Sequence, residues 1–478
     1  MEKGVMKRKK CLQTGFLLAL LAAGTMTAAC AVPEQFFVET TGKNSSEYSK
    51  EITEEDNSQV SEEPTGKDNS EGSKGTMEKN ASEEPTGKDN SEGSKGTMGE
   101  NASGEPTGGV AAEYQENIAD GGKQPENPSG QEAAAGKADW KISHEKVKGI
   151  YVTGPMAGSA GMDSLITLVD ETELNAMVID VKNDDGNITW KLETGSPAEI
   201  GACVSYISDM QGLMAKLKEH HIYTIARIVC FKDPYLAAAR PELALKKPDG
   251  TLVTDANGLA FVNPYREETW DYLVEVASAA SEMGFDEIQF DYVRFPIGTD
   301  ADAADYGVDL QTYTKEQAIT GFLSYAAEQF EEKGIVFGAD VFGTIIGSET
   351  DVERVGQNYK AIGGIVDVLS PMVYPSHYAN GVFGLEVPDA RPYETVLRAM
   401  QDSDRELQEV EEENRAVVRP WLQSFTASWV PGHITYEGEE IRQQIQAVYD
   451  AGYEEWILWN ASNRYSADGL GEVTNEKK

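Results

Sequence analysis

The sequence predicts an α/β fold: a (β/α)8 (TIM) barrel over residues 141–470, preceded by a signal peptide and a long disordered linker. Three observations predict it. From about Lys141 short apolar runs alternate with longer amphipathic stretches, the pattern of a parallel sheet with crossover helices. Eight such runs can be counted, enough to close a barrel. Several of them carry Asp, Lys, Arg or Trp at or within two residues of their C-terminal ends, which puts polar groups at the C-terminal face, where barrels of this kind do their chemistry.

Composition narrows the function. The chain has 478 residues and a net charge of −40, so a nucleic-acid partner is not expected. Nearly all Trp, Tyr and Phe lie in the last two thirds, which is long enough for one large core. Of four cysteines, Cys11 and Cys30 lie near the start. Cys203 and Cys230 lie in the folded part, where one disulfide and two buried thiols are both open. No Cys-x-x-Cys and no His-Glu-x-x-His occurs, and neither a metal nor a cofactor is expected.

Residues 1–31 have the three parts of a signal peptide. Lys3, Lys7, Arg8, Lys9 and Lys10 form a basic start, and Phe16 to Ala23 is an apolar run too short to span a bilayer. Small residues follow, ending Thr27-Ala28-Ala29-Cys30. This resembles a bacterial lipoprotein cleavage site, which implies lipidation of Cys30 and a membrane anchor. Thr27 stands where that pattern prefers Leu, and ordinary signal cleavage is the alternative. Residues 32–140 read as linker. SEEPTGKDNSEGSKGTMEKNA, Ser61 to Ala81, recurs almost unchanged as Ser82 to Ala102, a repeat of 21 residues. Without aromatic or branched apolar residues, stacked copies would have no core, and the composition suits a flexible spacer. Residues 471–478 are a short tail.

The eight runs are Gly149–Thr153, Ala176–Lys182, Tyr223–Val229, Glu287–Val293, Val336–Val341, Val366–Met372, Val417–Gln423 and Glu455–Asn460. The clearest helices between them are Met210–His220, Glu267–Met283, Lys315–Glu332, Pro392–Glu413 and Glu439–Ala451. A doubly wound open sheet is the other arrangement, but Gly154-Pro155-Met156-Ala157-Gly158 poorly matches the Gly-rich loop expected after its first strand.

Alternation along a strand sorts the polar residues. In GFDEIQFDYVRFP, Gln289 and Asp291 oppose Ile288, Phe290 and Tyr292, so Asp291 faces the barrel mouth with Arg294 in the loop beyond. Asp180 and Lys182 share one face of the second strand. The third strand contributes Arg227, the fifth Asp340, the sixth Tyr374 with His377 following, the seventh Trp421 and Gln423, and the eighth Trp459 and Asn460. A buried Asp beside Arg or Lys is often a structural pair, and a Trp at a strand end is usually core. So many polar strand ends on one face are harder to explain without a site.

Two carboxylates at neighbouring strand ends suit glycosidic bond cleavage. Asp291 is the candidate nucleophile, kept anionic by Arg227 or Arg294, and Asp340 the candidate acid with a raised pKa. Asp180 is the stand-in for either. Tyr374, Trp421 and Trp459 are candidate platforms for sugar rings, and Lys182, His377, Gln423 and Asn460 candidate contacts to hydroxyls. The expected partner is a carbohydrate, and the expected state a monomer.

KGIYVTG, VIDVKNDDG, IARIVCFKDPYLAAARPEL, FVNPYREETWDYL, GFDEIQFDYVRFP and LSPMVYPSHY, in that order, resemble a family of bacterial (β/α)8 barrels grouped with the glycosidases. The resemblance runs from about Lys148 to Asn460 and implies fold and superfamily, with the substrate left open. GFDEIQFDYV is also similar to the strand-four motif of chitinase-type barrels. Gly284, Phe285, Asp286 and Asp291 match, but Val293 stands at the catalytic Glu position, so the chitinase mechanism does not carry over. An Asp ending strand four with an acid on strand five is similar to amylase-type barrels, although Gln289 stands where those enzymes place an Arg. Two other functions remain in view: a catalytically silent glycan-binding barrel, and a metal-dependent hydrolase, for which only five His are present.

Overall fold

The computed structural model describes Trp140 and residues 144–472. The signal peptide with Cys30, the 21-residue repeats and most of the tail lie outside the described residues.

Nine strand segments form one all-parallel sheet: β1 (Lys148–Val152), β2 (Ala176–Lys182), β3 (Tyr223–Val229), β4 (Glu287–Asp291), β5 (Phe337–Phe342), β6 (Val368–Val373), β7 (Val417–Val418), β8 (Trp421–Gln423) and β9 (Trp456–Trp459). Pairing of β5 with β6 and of β9 with β1 closes the sheet on itself. β7 and β8 are two halves of one stave, both pairing with β6. Pro420 separates them because it has no N–H to give to the ladder. The barrel is therefore the expected eight-staved one.

Two strand ends differ from the sequence reading. The fourth strand stops at Asp291, not Val293, because Tyr292 turns into the left-handed region at φ 49. β2 carries a bulge between Asp180 and Lys182, where the register to β3 shifts by one residue. The bulge parts two side chains that strict alternation would hold together. Asp180 stays over the barrel axis, while the Lys182 ammonium reaches Val229 O at 2.6 Å and Asp233 at 3.0 Å.

The helices follow local signals. Asp209 caps Met210–Glu219, Thr314 and Gln317 make a capping box on Lys315–Glu331, and left-handed Gly284 ends Glu267–Met283. The helix from Pro392 ends at Leu407 rather than Glu413. Glu411, Glu412 and Glu413 would have put three anions at the negative end of its dipole. Cys203 and Cys230 are both free thiols.

Apolar side chains fill two spaces. One is the layer between strands and helices. The other is the barrel interior, where Tyr151, Val178, Ile225, Trp421, Ile457 and Trp459 pack together. Below them, at the N-terminal floor, Arg419 binds Glu287 at 2.7 Å and Glu455 at 2.9 Å, and the His144 ring meets Glu455 at 2.6 Å. His144 is stacked in turn on Trp140, with ring centroids 4.2 Å apart.

Candidate active site

The C-terminal face of the barrel is built around one guanidinium. Arg227 projects inward from β3 with 1% of its surface exposed. Its Nε and Nη2 donate to Asp291 Oδ2 at 2.8 and 2.5 Å. Its Nη1 donates to Asp180 Oδ1 at 2.7 Å, and Nη1 and Nη2 reach Asp184 Oδ2 at 3.2 and 3.3 Å. These five contacts match the donor capacity of a guanidinium, which has five N–H groups. Arg227, expected beside Asp291 as its charge partner, donates to that carboxylate and to two more.

The carboxylates sit in different surroundings. Asp291 accepts from Arg227 on one oxygen and from the Tyr292 backbone N–H, at 2.6 Å, on the other. Asp180 accepts from Arg227 on Oδ1 and from the Tyr151 hydroxyl, at 2.6 Å, on Oδ2. Burial pushes its carboxyl up to about 6 against the pull of Arg227. Asp184 is the most exposed of the three. Burial acts to raise its pKa too, but Arg227 and Lys232 prevail and hold it below the usual value. Lys232 itself pairs with Asp255 at 2.9 Å.

Asp340 lies deeper. The β4–β5 register, with Phe290 opposite Ala339, carries on to set Asp291 beside Asp340, and both face inward. Asp340 is only 1% exposed, though, and its Oδ1 accepts from Gln289 Nε2 and Trp421 Nε1, both at 2.7 Å. Its Oδ2 has no hydrogen-bond partner among the described residues. Burial, reinforced by the charge of Asp291, keeps this carboxyl well above the usual carboxylate range. The raised pKa expected of an acid is there, in a carboxyl about as buried as that of Asp180.

The other expected residues divide. Trp421 (1% exposed) and Trp459 (7%) are interior packing, and neither presents an open face to solvent. Trp459 stacks on Tyr151 with centroids 4.0 Å apart and has the Arg227 guanidinium 5.4 Å from its ring. Tyr374 is buried against His377 and Phe425. His377 is half-buried, with its Nδ1 3.1 Å from Ser376 Oγ. Gln423 accepts from Ser376 N and donates to Asp389 and Phe425 O, which ties two mouth loops together. Asn460 donates to Ser424 O and Arg464 O and likewise holds loop backbone. Arg294 lies between the rings of Tyr292 and Phe342, at 4.8 and 4.7 Å, and donates to Phe295 O. Lys182 serves Asp233, as described above.

Sequence reasoning missed Tyr151, Asp184 and a half-buried aromatic pair, Phe425 and Trp429, stacked 5.9 Å apart beyond β8. Alternation on β1 turns Tyr151 inward, whereas Asp184 lies in the turn after β2, where strand parity gives no signal. For the aromatic pair, its spacing in a loop gave no periodic signal.

Among the described residues no group of three or more His, Cys, Asp or Glu is placed to hold a metal ion. No curated protein matches the sequence. A hypothetical protein from Ruminiclostridium thermocellum is similar, with 36% identity over 42% of this chain and 99% of that one and a TM-score of 0.38. The PgaB (BpsB) glycoside hydrolase domain from Bordetella bronchiseptica is 11% identical over 66% of this chain and 94% of that one, with a TM-score of 0.44. An alpha-galactosidase from Thermus thermophilus is 13% identical over 72% of this chain, which spans 64% of that enzyme, with a TM-score of 0.40. Residues 149–465, nearly the whole barrel, match the family described as "Putative glycosyl hydrolase domain", and the chain belongs to that family.

Proposed function

We propose that this glycoside hydrolase cleaves O-glycosidic bonds of a polysaccharide or cell-wall glycan, with Asp291 and Asp180 as its working carboxylates. The observation that carries the reading is Arg227, which holds both groups within the span of one guanidinium while their surroundings differ. Asp291, bonded on both oxygens by N–H groups, attacks the anomeric carbon or activates water. Asp180, with its pKa raised to about 6, donates a proton to the leaving oxygen as the C–O bond breaks. Water supplies the hydroxyl that ends on the anomeric carbon, and its proton restores Asp180. Asp340, whose Oδ1 is taken up by Gln289 and Trp421 and which has no bond to Arg227, is read as a neutral support beside the pair rather than as the acid. Phe425 and Trp429 take over the role of sugar platform from Trp421 and Trp459.

The test is hydrolysis of a panel of glycans by the purified protein, as released reducing ends. Turnover that survives both Asp291→Asn and Asp180→Asn would refute the assignment. The saturated hub also favours a second reading, a silent glycan-binding barrel. In that case the wild type would bind glycan without releasing product, and neither substitution would weaken binding.

Residues 1–31 support export, and Cys30 supports a lipid anchor on the outer face of the cell membrane. The enzyme would act there as a monomer. Incorporation of labelled fatty acid, lost in Cys30→Ala together with membrane fractionation, is the expected result. A protein found soluble outside the cell in both forms would point to ordinary signal cleavage.

A further inference from the structure

We infer that Tyr151 is a positioning residue for Asp180, fixing which oxygen of that carboxyl carries the proton. The inference rests on the reading of Asp180 as the acid. The two oxygens of Asp180 have unlike partners. Oδ1 faces Arg227 Nη1, a permanently charged donor that cannot accept, so no proton resides there. The proton belongs on Oδ2, which meets the Tyr151 hydroxyl at 2.6 Å. A phenol both donates and accepts. It donates to the carboxylate when Asp180 is charged, and it accepts from Oδ2–H when Asp180 is neutral. One hydroxyl rotor therefore follows each protonation change.

Tyr151 is well held for this task. Its ring is 3% exposed and stacks on Trp459 at 4.0 Å and 21°. The edge of Trp421 meets it at 6.4 Å, and the Arg227 guanidinium lies 5.6 Å from its centroid. Burial holds its phenol far above the ordinary range, so it keeps its proton throughout. The other charged groups facing Asp180 are Arg227 from β3 and Asp184 from the loop after β2. Asp291 from β4 shares that Arg227, and Lys232 stands behind Asp184.

Removing the hydroxyl takes a donor from the charged form of Asp180, so its protonation midpoint rises. A hydrogen bond to a charged group is strong enough to move it by about one pH unit. The measurement is carboxyl carbon-13 NMR of the full-length protein over pH, with the Asp180 signal identified by its loss in Asp180→Asn. Tyr151→Phe keeps the stacked ring. Its Asp180 midpoint is expected to rise by about one pH unit, and the basic limb of kcat/KM to rise with it. Trp459→Phe keeps the hydroxyl but shrinks the ring beneath it, and is expected to move both in the same direction by less. If the midpoint rises in Tyr151→Phe and the rate limb stays put, the positioning role stands and the acid assignment of Asp180 falls. An unmoved midpoint in Tyr151→Phe overturns the inference, whatever the rates do. Should that variant fail to fold, the midpoint in Trp459→Phe decides in the same sense.

Discussion

Arg227 and Asp291 are joined twice through a single oxygen: Nε and Nη2 of the guanidinium both donate to Asp291 Oδ2. Lysine has the charge of arginine without the fork, and cannot reach three carboxylates at once. Arg227→Lys is therefore expected to lower kcat/KM by at least about 100-fold, the scale for losing an aimed electrostatic partner. The change would also destabilise the fold by about 3–5 kcal/mol, because buried carboxylates are left poorly paired. Initial rates and urea unfolding check the two effects separately.

Asp340 offers a contrast with Asp291. Since burial keeps Asp340 above the usual carboxylate range, an amide replaces its neutral form at little cost. Asp340→Asn is expected to keep kcat within about tenfold of wild type, while Asp291→Asn loses about 10⁴-fold or more. The comparison rests on a neutral isostere disturbing a buried neutral acid far less than a reacting carboxylate. Equal losses in the two variants would return Asp340 to the reacting pair.

The ion cluster on the barrel floor predicts stability without catalysis. Arg419 is fully buried between Glu287 and Glu455. Arg419→Ala strands both carboxylates and is expected to cost about 3–5 kcal/mol in urea unfolding. The pH dependence of kcat/KM in whatever remains folded should match wild type, because Arg419 enters no contact at the mouth described above.

Glu173 gives a pH-dependent stability. It joins Lys148 at 3.0 Å and Arg442 at 2.5 Å, and its Oε1 accepts from Gly471 N at 2.7 Å, closing the seam between the first crossover helix and the end of the described chain. Burial raises its pKa, but Arg442, Gly471 and Lys148 outweigh that and bring it down to about 2. A depressed pKa means that the unfolded state binds protons first as pH falls. The stabilisation is thus complete above about pH 5 and fades toward pH 2. Thermal melting of Glu173→Gln should lie below wild type at pH 7 and converge with it near pH 2.

Much of this was legible beforehand because alternation is a strong rule in a closed parallel sheet. It placed Asp180, Arg227, Asp291 and Asp340 inside the barrel and at the correct strands. What it could not supply was depth and partnership. Asp340 sits on the same inward face as Asp291, yet it takes Trp421 and Gln289 as partners where Asp291 takes Arg227. Lys182 obeys the parity of its strand in sequence, and a single bulged residue redirects it to Asp233. Gln423 and Asn460 have the chemistry of sugar contacts, but loop backbones claim their hydrogen bonds. Such choices depend on where loops return, and no local pattern encodes that.

The stacking of Trp140 on His144, and the hydrogen bond of His144 to Glu455, have a practical consequence for anyone trimming the protein. A fragment starting at residue 141 would lose the indole lid of that imidazole and loosen the underside of the barrel, so the cut belongs upstream of Trp140. It also gives the molecule a polarity. Trp140 and His144 lie at the N-terminal floor with Glu455, while the carboxylates gathered by Arg227 lie at the opposite, C-terminal face of the barrel.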